Sequence, residues 1–340
     1  MEPVRGMYPL RRFLLMALVL WVVTTITFFL SYVVPGDPAR LIAGATASPE
    51  QVERVRHELG LDRSVSYQYL TYLNRLAHGD LGQSLQSRRP VIADIRDYFG
   101  ATFELSTLAL LVTLAIGIPL GVLSAIYKDT FIDHVSRLFS LSGISFPVFW
   151  LALLLQVLFC QVLGVLPLGG RLGTGAADFR VHTGLYLIDS LLSGNRPLFK
   201  DVLRHLILPA ACVAYPTLAM VTRIVRANML EVLQQDFIRT AHSLGFSPRV
   251  VFFRYALKNA MISTITVVGL AYGYLLGGSL LAEMIFSWPG LGRYTAFAII
   301  NSDYPAVMGV TITIALTYMV LNLLIDIAYG IIDPRVRIQG

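Results

Sequence analysis

In a chain this apolar the residues able to do chemistry are few, and where they fall is informative. Asp326 is the one acid well inside an apolar stretch, and a carboxylate at membrane depth is by default a candidate for proton or ion coupling. It sits toward one end of its stretch, near Asn322 and just before Asp333-Pro334-Arg335, so capping or pairing with a neighbouring helix is the competing role. The six histidines (His57, His78, His134, His182, His205 and His242) are scattered through loops and helix ends without ligand spacing. Cys160 and Cys212 both lie in apolar segments, where a thiol behaves as a small buried hydrophobe. No span carries a Ser/Lys, paired-Asp or His-Glu constellation at the spacing an intramembrane enzyme needs. No Gly-x-x-x-x-Gly-Lys-Ser/Thr phosphate loop occurs either. The expectation is therefore no catalytic residue, no metal site and no cofactor on this chain.

The densest signal is polar rather than titratable. From Asp236 the sequence reads Asp-Phe-Ile-Arg-Thr-Ala-His-Ser-Leu-Gly. Asp236 reads as an N-cap; Phe237, Ala241 and Leu244 share one helical face, while Arg239, His242 and Ser243 point elsewhere. Gly245 suits the left-handed residue that ends a helix. Ser247-Pro248 then opens a second helix, running through Arg254, Tyr255 and Leu257 to Asn259. The result is a helix, a glycine turn and a helix inside a loop, 227–259, too short to be an enzyme domain. Such an element serves either as a rigid lever or as a plain connector.

The elements around it follow from hydropathy. Of 340 residues 55% are hydrophobic and 14% charged, whereas soluble domains carry about a quarter charged residues. Six apolar stretches are long enough to cross a bilayer: roughly 14–34, 102–127, 138–166, 206–224, 260–281 and 307–331. The first is too long for a cleavable signal and lacks a small-x-small site before Pro35–Pro38. Between the first two spans, Ser48-Pro49-Glu50-Gln51 predicts a capping box with proline at the first helical position. Val52, Val55 and Leu59 then share a face, and Gly60 stops the helix. A second amphipathic stretch aligns Tyr69, Leu73 and Leu76 before Gly79-Asp80-Leu81-Gly82. These pieces serve as a packed cap or as a surface for an external partner. The segment 167–205 reads as irregular. Pro119 and Pro147 are expected to kink their helices. Gly117/Gly121 and Gly269/Gly273/Gly277 form strips that let helices approach closely.

The net charge of +6 is not spread evenly. With the N-terminus cytoplasmic, the excess of base over acid falls on the cytoplasmic side, carried by Arg5, Arg11 and Arg12 at one terminus and Arg335 and Arg337 at the other. This is the positive-inside pattern. It predicts both termini in the cytoplasm, a multi-pass membrane protein surrounded by lipid, and no nucleic-acid partner.

The 236–259 loop resembles the coupling loop of ABC importer permeases, whose pattern is Glu-Ala-Ala, three residues, Gly, nine residues, Ile-x-Leu-Pro. Aligned on Gly245, the triplet falls on Arg239, Thr240 and Ala241, and the later leucine on Leu257. Arg239, Tyr255 and Lys258 depart from the general pattern. They are similar instead to the dipeptide/oligopeptide (peptide/nickel) branch, as is Ala256-Leu257-Lys258-Asn259-Ala260. The resemblance spans nearly the whole chain, through Pro35-Gly36-Asp37-Pro38, Phe146-Pro147-Val148-Phe149-Trp150, His205-Leu206-Ile207-Leu208-Pro209, Phe286-Ser287-Trp288-Pro289-Gly290-Leu291-Gly292-Arg293, Asp303-Tyr304-Pro305 and Asn322 to Arg335. It implies an all-α integral membrane protein of six transmembrane helices with the type I (MetI-like) permease fold and external helical insertions. Residues 1–34 would hold the N-terminus and first span, 35–101 an external helical segment, and 102–340 the permease core.

The resemblance also implies a function. The chain would be a transport permease and not an enzyme, pairing with a second homologous permease, two ABC ATPase subunits that bind ATP and Mg, and an external substrate-binding protein. Relatives of this kind carry dipeptides, oligopeptides, glutathione, nickel complexes or haem-related molecules. Asp236, Phe237, Arg239, Thr240, Ala241, Leu244, Gly245, Leu257 and Asn259 would form the ATPase-coupling loop. A secondary proton-coupled carrier using Asp326 is the alternative, and the outer segments 81–96 and 167–205 are expected to meet the binding protein or line the outer gate.

Overall fold

The computed structural model describes residues 7–33, 37–44, 46–58, 60–173 and 182–332, apart from some side chains within those helices. The terminal charges Arg5, Arg335 and Arg337, the Pro35-Gly36 pair, Leu59 and the side chains of Arg11, Arg12 and Asp326 fall outside the described residues.

Among the described residues the chain is helical throughout, with a lone bridge between Gln83 and Pro90. Four helices are long and apolar enough to cross a membrane: Val91–Ile126, Arg196–Leu233, Pro248–Gly277 and Tyr304–Ile325. A fifth span is available if the pair Phe131–Ser145 and Val148–Val162 is counted as one. That pair bends by 105° at its break, so the continuous span expected from 138 to 166 is not formed. Pro147 is the cause, since it cannot donate into the preceding turn and Phe146 before it is forced extended (φ −83°, ψ 128°). The helix Met7–Val33 contributes a shorter apolar stretch, Leu14–Leu30. Among the described residues, length and composition thus support four or five spans of the expected six.

Pro119 acts more gently than Pro147. The helix containing it stays continuous through a wide π-helical turn at Thr113–Gly117, which lies just ahead of the proline. Three spans begin well before the stretches that hydropathy predicts, the first of them at Val91 rather than 102. The helix Arg196–Leu233 is 38 residues long and keeps Pro209 and Pro216 inside it. The second helix of the 227–259 loop is not separate from the fifth span: Pro248 to Gly277 is one helix.

The chain divides into two compact units. The first comprises residues 1–99 and 294–317. Here the predicted capping box is formed: Ser48 N donates to Gln51 Oε1 at 2.9 Å, and Gln51 N donates to Ser48 Oγ at 3.3 Å. The amphipathic helix Val65–Ala77 forms, and its Tyr69, together with Tyr72 from outside the predicted stripe, packs against Phe28 at ring separations of 5.2 and 5.3 Å. The loop after Gly79 is tied to the start of Tyr304–Ile332, since the buried Asp303 carboxylate accepts from Ser84 Oγ at 2.5 Å and from Gln86 N at 3.1 Å.

The second unit comprises residues 100–293 and 318–340. Arg196–Leu233 is its spine and runs through two apolar clusters. One gathers Leu105, Leu206, Cys212, Leu275, Phe286 and Trp288; the other gathers Val122, Val225, Met229, Ile238, Ala241 and Val251. Cys212 is buried in the first, and Cys160 packs against it. Close helix approach is real: a Cβ added at Gly121 would lie 2.7 Å from both Thr222 O and Val225 Cβ, and one at Gly273 would collide with the Tyr318 ring.

Candidate functional site

The helix Asp236–Ser243 follows the spine after only Gln234 and Gln235. It begins one residue earlier than the sequence reading supposed. Gln235 occupies the N-cap position, and Asp236 is the first helical residue, with its carboxylate out in solvent 3.4 Å from Arg239 Nη1. An acid in the first turn still complements the positive end of the helix dipole.

The inward face is also different from the expected one. Ile238 (2% exposed) and Ala241 (4%) are the residues buried in the second apolar cluster. Phe237 and Leu244 lie outside it, Leu244 with 71% of its surface exposed. The spacing of Phe237, Ala241 and Leu244 is that of one stripe, but Ala241 stands at its edge and turns inward with Ile238, three residues before it. Ile238 was the missed anchor; its signal was a β-branched residue one turn before Ala241, beyond the inward-facing Val232.

Gly245 closes the helix as predicted. Its φ is +79°, Gly245 N donates to His242 O at 3.0 Å, and Phe246 N donates to Ala241 O at 3.2 Å. These are the two bonds of a Schellman turn. Pro248 then starts the next helix from Ser247, whose side chain makes no cap bond, through a π-helical turn at Val251–Ala256. Leu257 lies half-buried against the same cluster as Ala241. Asn259 is exposed, its Nδ2 donating to Tyr255 O at 2.8 Å.

The outward surface that results is mixed. Phe237, Leu244, Phe246 and Phe253 are exposed, beside the exposed Arg239, Thr240, Arg249 and Arg254. Exposed apolar side chains rimmed by cations mark an interaction surface.

At the other end of Pro248–Gly277, about 45 Å of helix away, the segment Leu280–Arg293 folds around a carboxylate. Glu283 is fully buried and accepts from Ser279 Oγ at 2.6 Å, Thr102 Oγ1 at 2.8 Å and Arg293 N at 3.0 Å. Trp288, also fully buried, donates through Nε1 to Ala101 O at 2.9 Å. Nearby, Arg171 and Glu104 form a buried ion pair at 2.6 Å, with the guanidinium 3.7 Å from the Tyr186 ring centroid. The segment 182–185 wraps the Asp189 carboxylate, which accepts from Thr183 Oγ1 at 2.8 Å. Burial alone would raise this carboxyl, but hydrogen bonds from Thr183 and from the His182 and Gly184 backbone outweigh it and hold the group below the usual carboxylate range.

Long apolar helices whose buried polar groups are taken up in packing are the architecture of a membrane-embedded protein. The sequence matches the family described as binding-protein-dependent transport system inner membrane component over residues 117–338, and the N-terminal membrane component of such systems over residues 7–106. The chain belongs to this family. It is 46% identical over 318 residues, 94% of each chain, to the probable D,D-dipeptide transport system permease protein DdpB of Escherichia coli. It is 41% identical over 330 residues to the dipeptide transport system permease protein DppB of Alkalihalophilus pseudofirmus, covering 97% of this chain and 99% of the relative. The di/tripeptide transport system permease protein DppB of Pseudomonas aeruginosa is 42% identical over 318 residues, 93% of this chain and 94% of its own. Membership of a binding-protein-dependent system favours the permease over a self-sufficient carrier working through Asp326, whose side chain lies outside the described residues.

Proposed function

We propose that this chain is one of two permease subunits of an ATP-driven importer of dipeptides or short peptides, and that separate ATPase subunits grip it at the hairpin Asp236–Asn259. One observation carries the reading: the Asp236–Ser243 helix buries Ile238 and Ala241 against the protein while leaving Phe237, Leu244 and Phe246 uncovered. Uncovered apolar side chains on a short helix joined to two long ones suit a docking lever. Of the residues assigned to coupling, Phe237, Arg239, Thr240 and Leu244 would meet the ATPase. Ala241 and Leu257 fix the helix to the core, Gly245 makes the turn, and Asp236 and Asn259 stabilise local backbone. ATP and Mg would be bound by the ATPases, and both termini would be cytoplasmic, on the hairpin's side. The peptide cargo is inferred from the names of the relatives. An external binding protein would deliver it at the segments 81–96 and 167–205.

The test uses the assembled transporter in proteoliposomes. Leu244→Asp places a charge in the centre of the docking surface without touching the core. Burying a leucine contributes about 1.5–3 kcal/mol, so the ATPases should bind at least ten-fold more weakly and uptake should fall accordingly, with the permease folded as before. Normal ATPase retention and normal uptake by this variant would overturn the assignment.

A further inference from the structure

Ser136 is buried in the second unit, and its hydroxyl has no hydrogen-bond partner among the described residues. It lines a cavity of about 240 Å³ formed between the helices Phe131–Ser145 and Arg196–Leu233. That hydroxyl has no accessible surface, so the charged groups of the lining decide what the cavity takes. Arg137, Arg223 and Arg226 all line it. Arg226 grips the buried Asp133 carboxylate with two bonds of 2.7 and 2.9 Å, and Arg137 reaches the same carboxylate at 3.6 Å. Asp133, with Asp129 beside it, balances two of the three guanidinium groups, and Arg223 makes no ion pair or hydrogen bond among the described residues. The cavity carries surplus positive charge and wants an anion.

The remaining wall is apolar. Leu141 and Ile144 line the cavity and are themselves exposed. They follow Arg137 by one and two helical turns, about 6 and 10 Å along the axis. A free anion would use the arginines and leave this wall to water. A molecule with an anionic head and an apolar tail covers both.

We propose that the cavity holds the phosphate of an anionic phospholipid, with Arg223 on the phosphate oxygens and an acyl chain along Leu141 and Ile144. Basic pockets between membrane helices bind such headgroups by the same logic. That the headgroup belongs to the cytoplasmic leaflet rests on the orientation proposed above, since Lys128–Arg137 is then a cytoplasmic connection. The site itself depends only on the residues facing the cavity.

The experiment is native mass spectrometry of the full chain in detergent, titrated with equimolar dioleoylphosphatidylglycerol and dioleoylphosphatidylcholine. No ATPase is present, so the outcome is independent of the coupling assignment. The anionic lipid should be preferred by roughly five-fold or more, and Arg223→Gln should remove roughly five-fold of that preference while leaving the melting temperature unchanged. Equal occupancy by the two lipids, or undiminished preference in Arg223→Gln, would overturn the proposal. So would displacement of the lipid by millimolar inorganic phosphate, which would make this a site for a free anion. Loss of the preference once the complete transporter is assembled would assign the cavity to a partner subunit instead.

Discussion

Glu283 illustrates how single residues hold this molecule. Its carboxylate is wholly buried yet accepts three hydrogen bonds, from two hydroxyls and the Arg293 backbone. Thr102 Oγ1 is used twice, donating to Glu283 and accepting from Leu291 N at 2.8 Å. A charge taken out of water is tolerable only when its partners replace the lost solvation, and here they also fix the path of Leu280–Arg293. Glu283→Ala removes the acceptor and strands its donors, each unmatched group costing about 1–3 kcal/mol. The variant should melt markedly earlier in detergent, and trypsin should then cut at Arg293. Glu283→Gln keeps one acceptor oxygen and should be milder. If Glu283→Ala melts with the wild type, the carboxylate is not what organises this segment.

The hairpin shows what an element adds to its residues. Gly245 has φ +79°, and a Cβ built there meets nothing within 4 Å. Alanine would therefore suffer only backbone strain, about 1–2 kcal/mol. Proline is different: it cannot adopt that φ, and it removes the donor that bonds His242 O. In the assembled transporter, Gly245→Ala should retain most uptake, whereas Gly245→Pro should abolish coupled uptake while leaving the membrane helices folded, as circular dichroism would report. Equal loss in both variants would mean that space, and not turn geometry, is what the glycine supplies.

This element was legible in the sequence wherever local chemistry decides. The Schellman glycine, the Pro248 start and the Ser48–Gln51 capping box each need only their own neighbours. The inward face was misread because helical spacing marks which residues share a stripe, not which edge of the stripe meets the core. That depends on Val232 and Val251, brought in by other helices. The break at Pro147 was anticipated, but its 105° size was not, because tertiary packing sets how far a kink opens. Glu283 went unrecognised as an organising centre because its donors lie as far as 181 residues away in sequence.

At the scale of the whole molecule, the question is how a push on a short helix reaches the membrane. The Asp236–Ser243 helix is connected to the 38-residue spine through Gln234 and Gln235, and to Pro248–Gly277 through Gly245, Phe246 and Ser247. Backbone bonds stiffen the first connection: Gln234 N to Glu231 O at 3.2 Å, Gln235 N to Val232 O at 3.1 Å, and Ile238 N to Gln235 O at 3.1 Å. A lever works only if its joints are stiffer than the load, and rigid-body rocking of helices about a central site is the general form of alternating access. Docking and transmission are therefore separable. Inserting three glycines between Gln234 and Gln235 leaves Phe237, Leu244 and Phe246 in place for the ATPases but turns the stiff joint into a flexible tether. The modified transporter should still retain its ATPases on purification, should hydrolyse ATP, and should import almost nothing. Leu244→Asp should fail at the earlier step, losing the ATPases themselves. Comparing the two in the same proteoliposomes distinguishes a lever from a mere anchor, because an anchor would tolerate the longer tether and continue to transport.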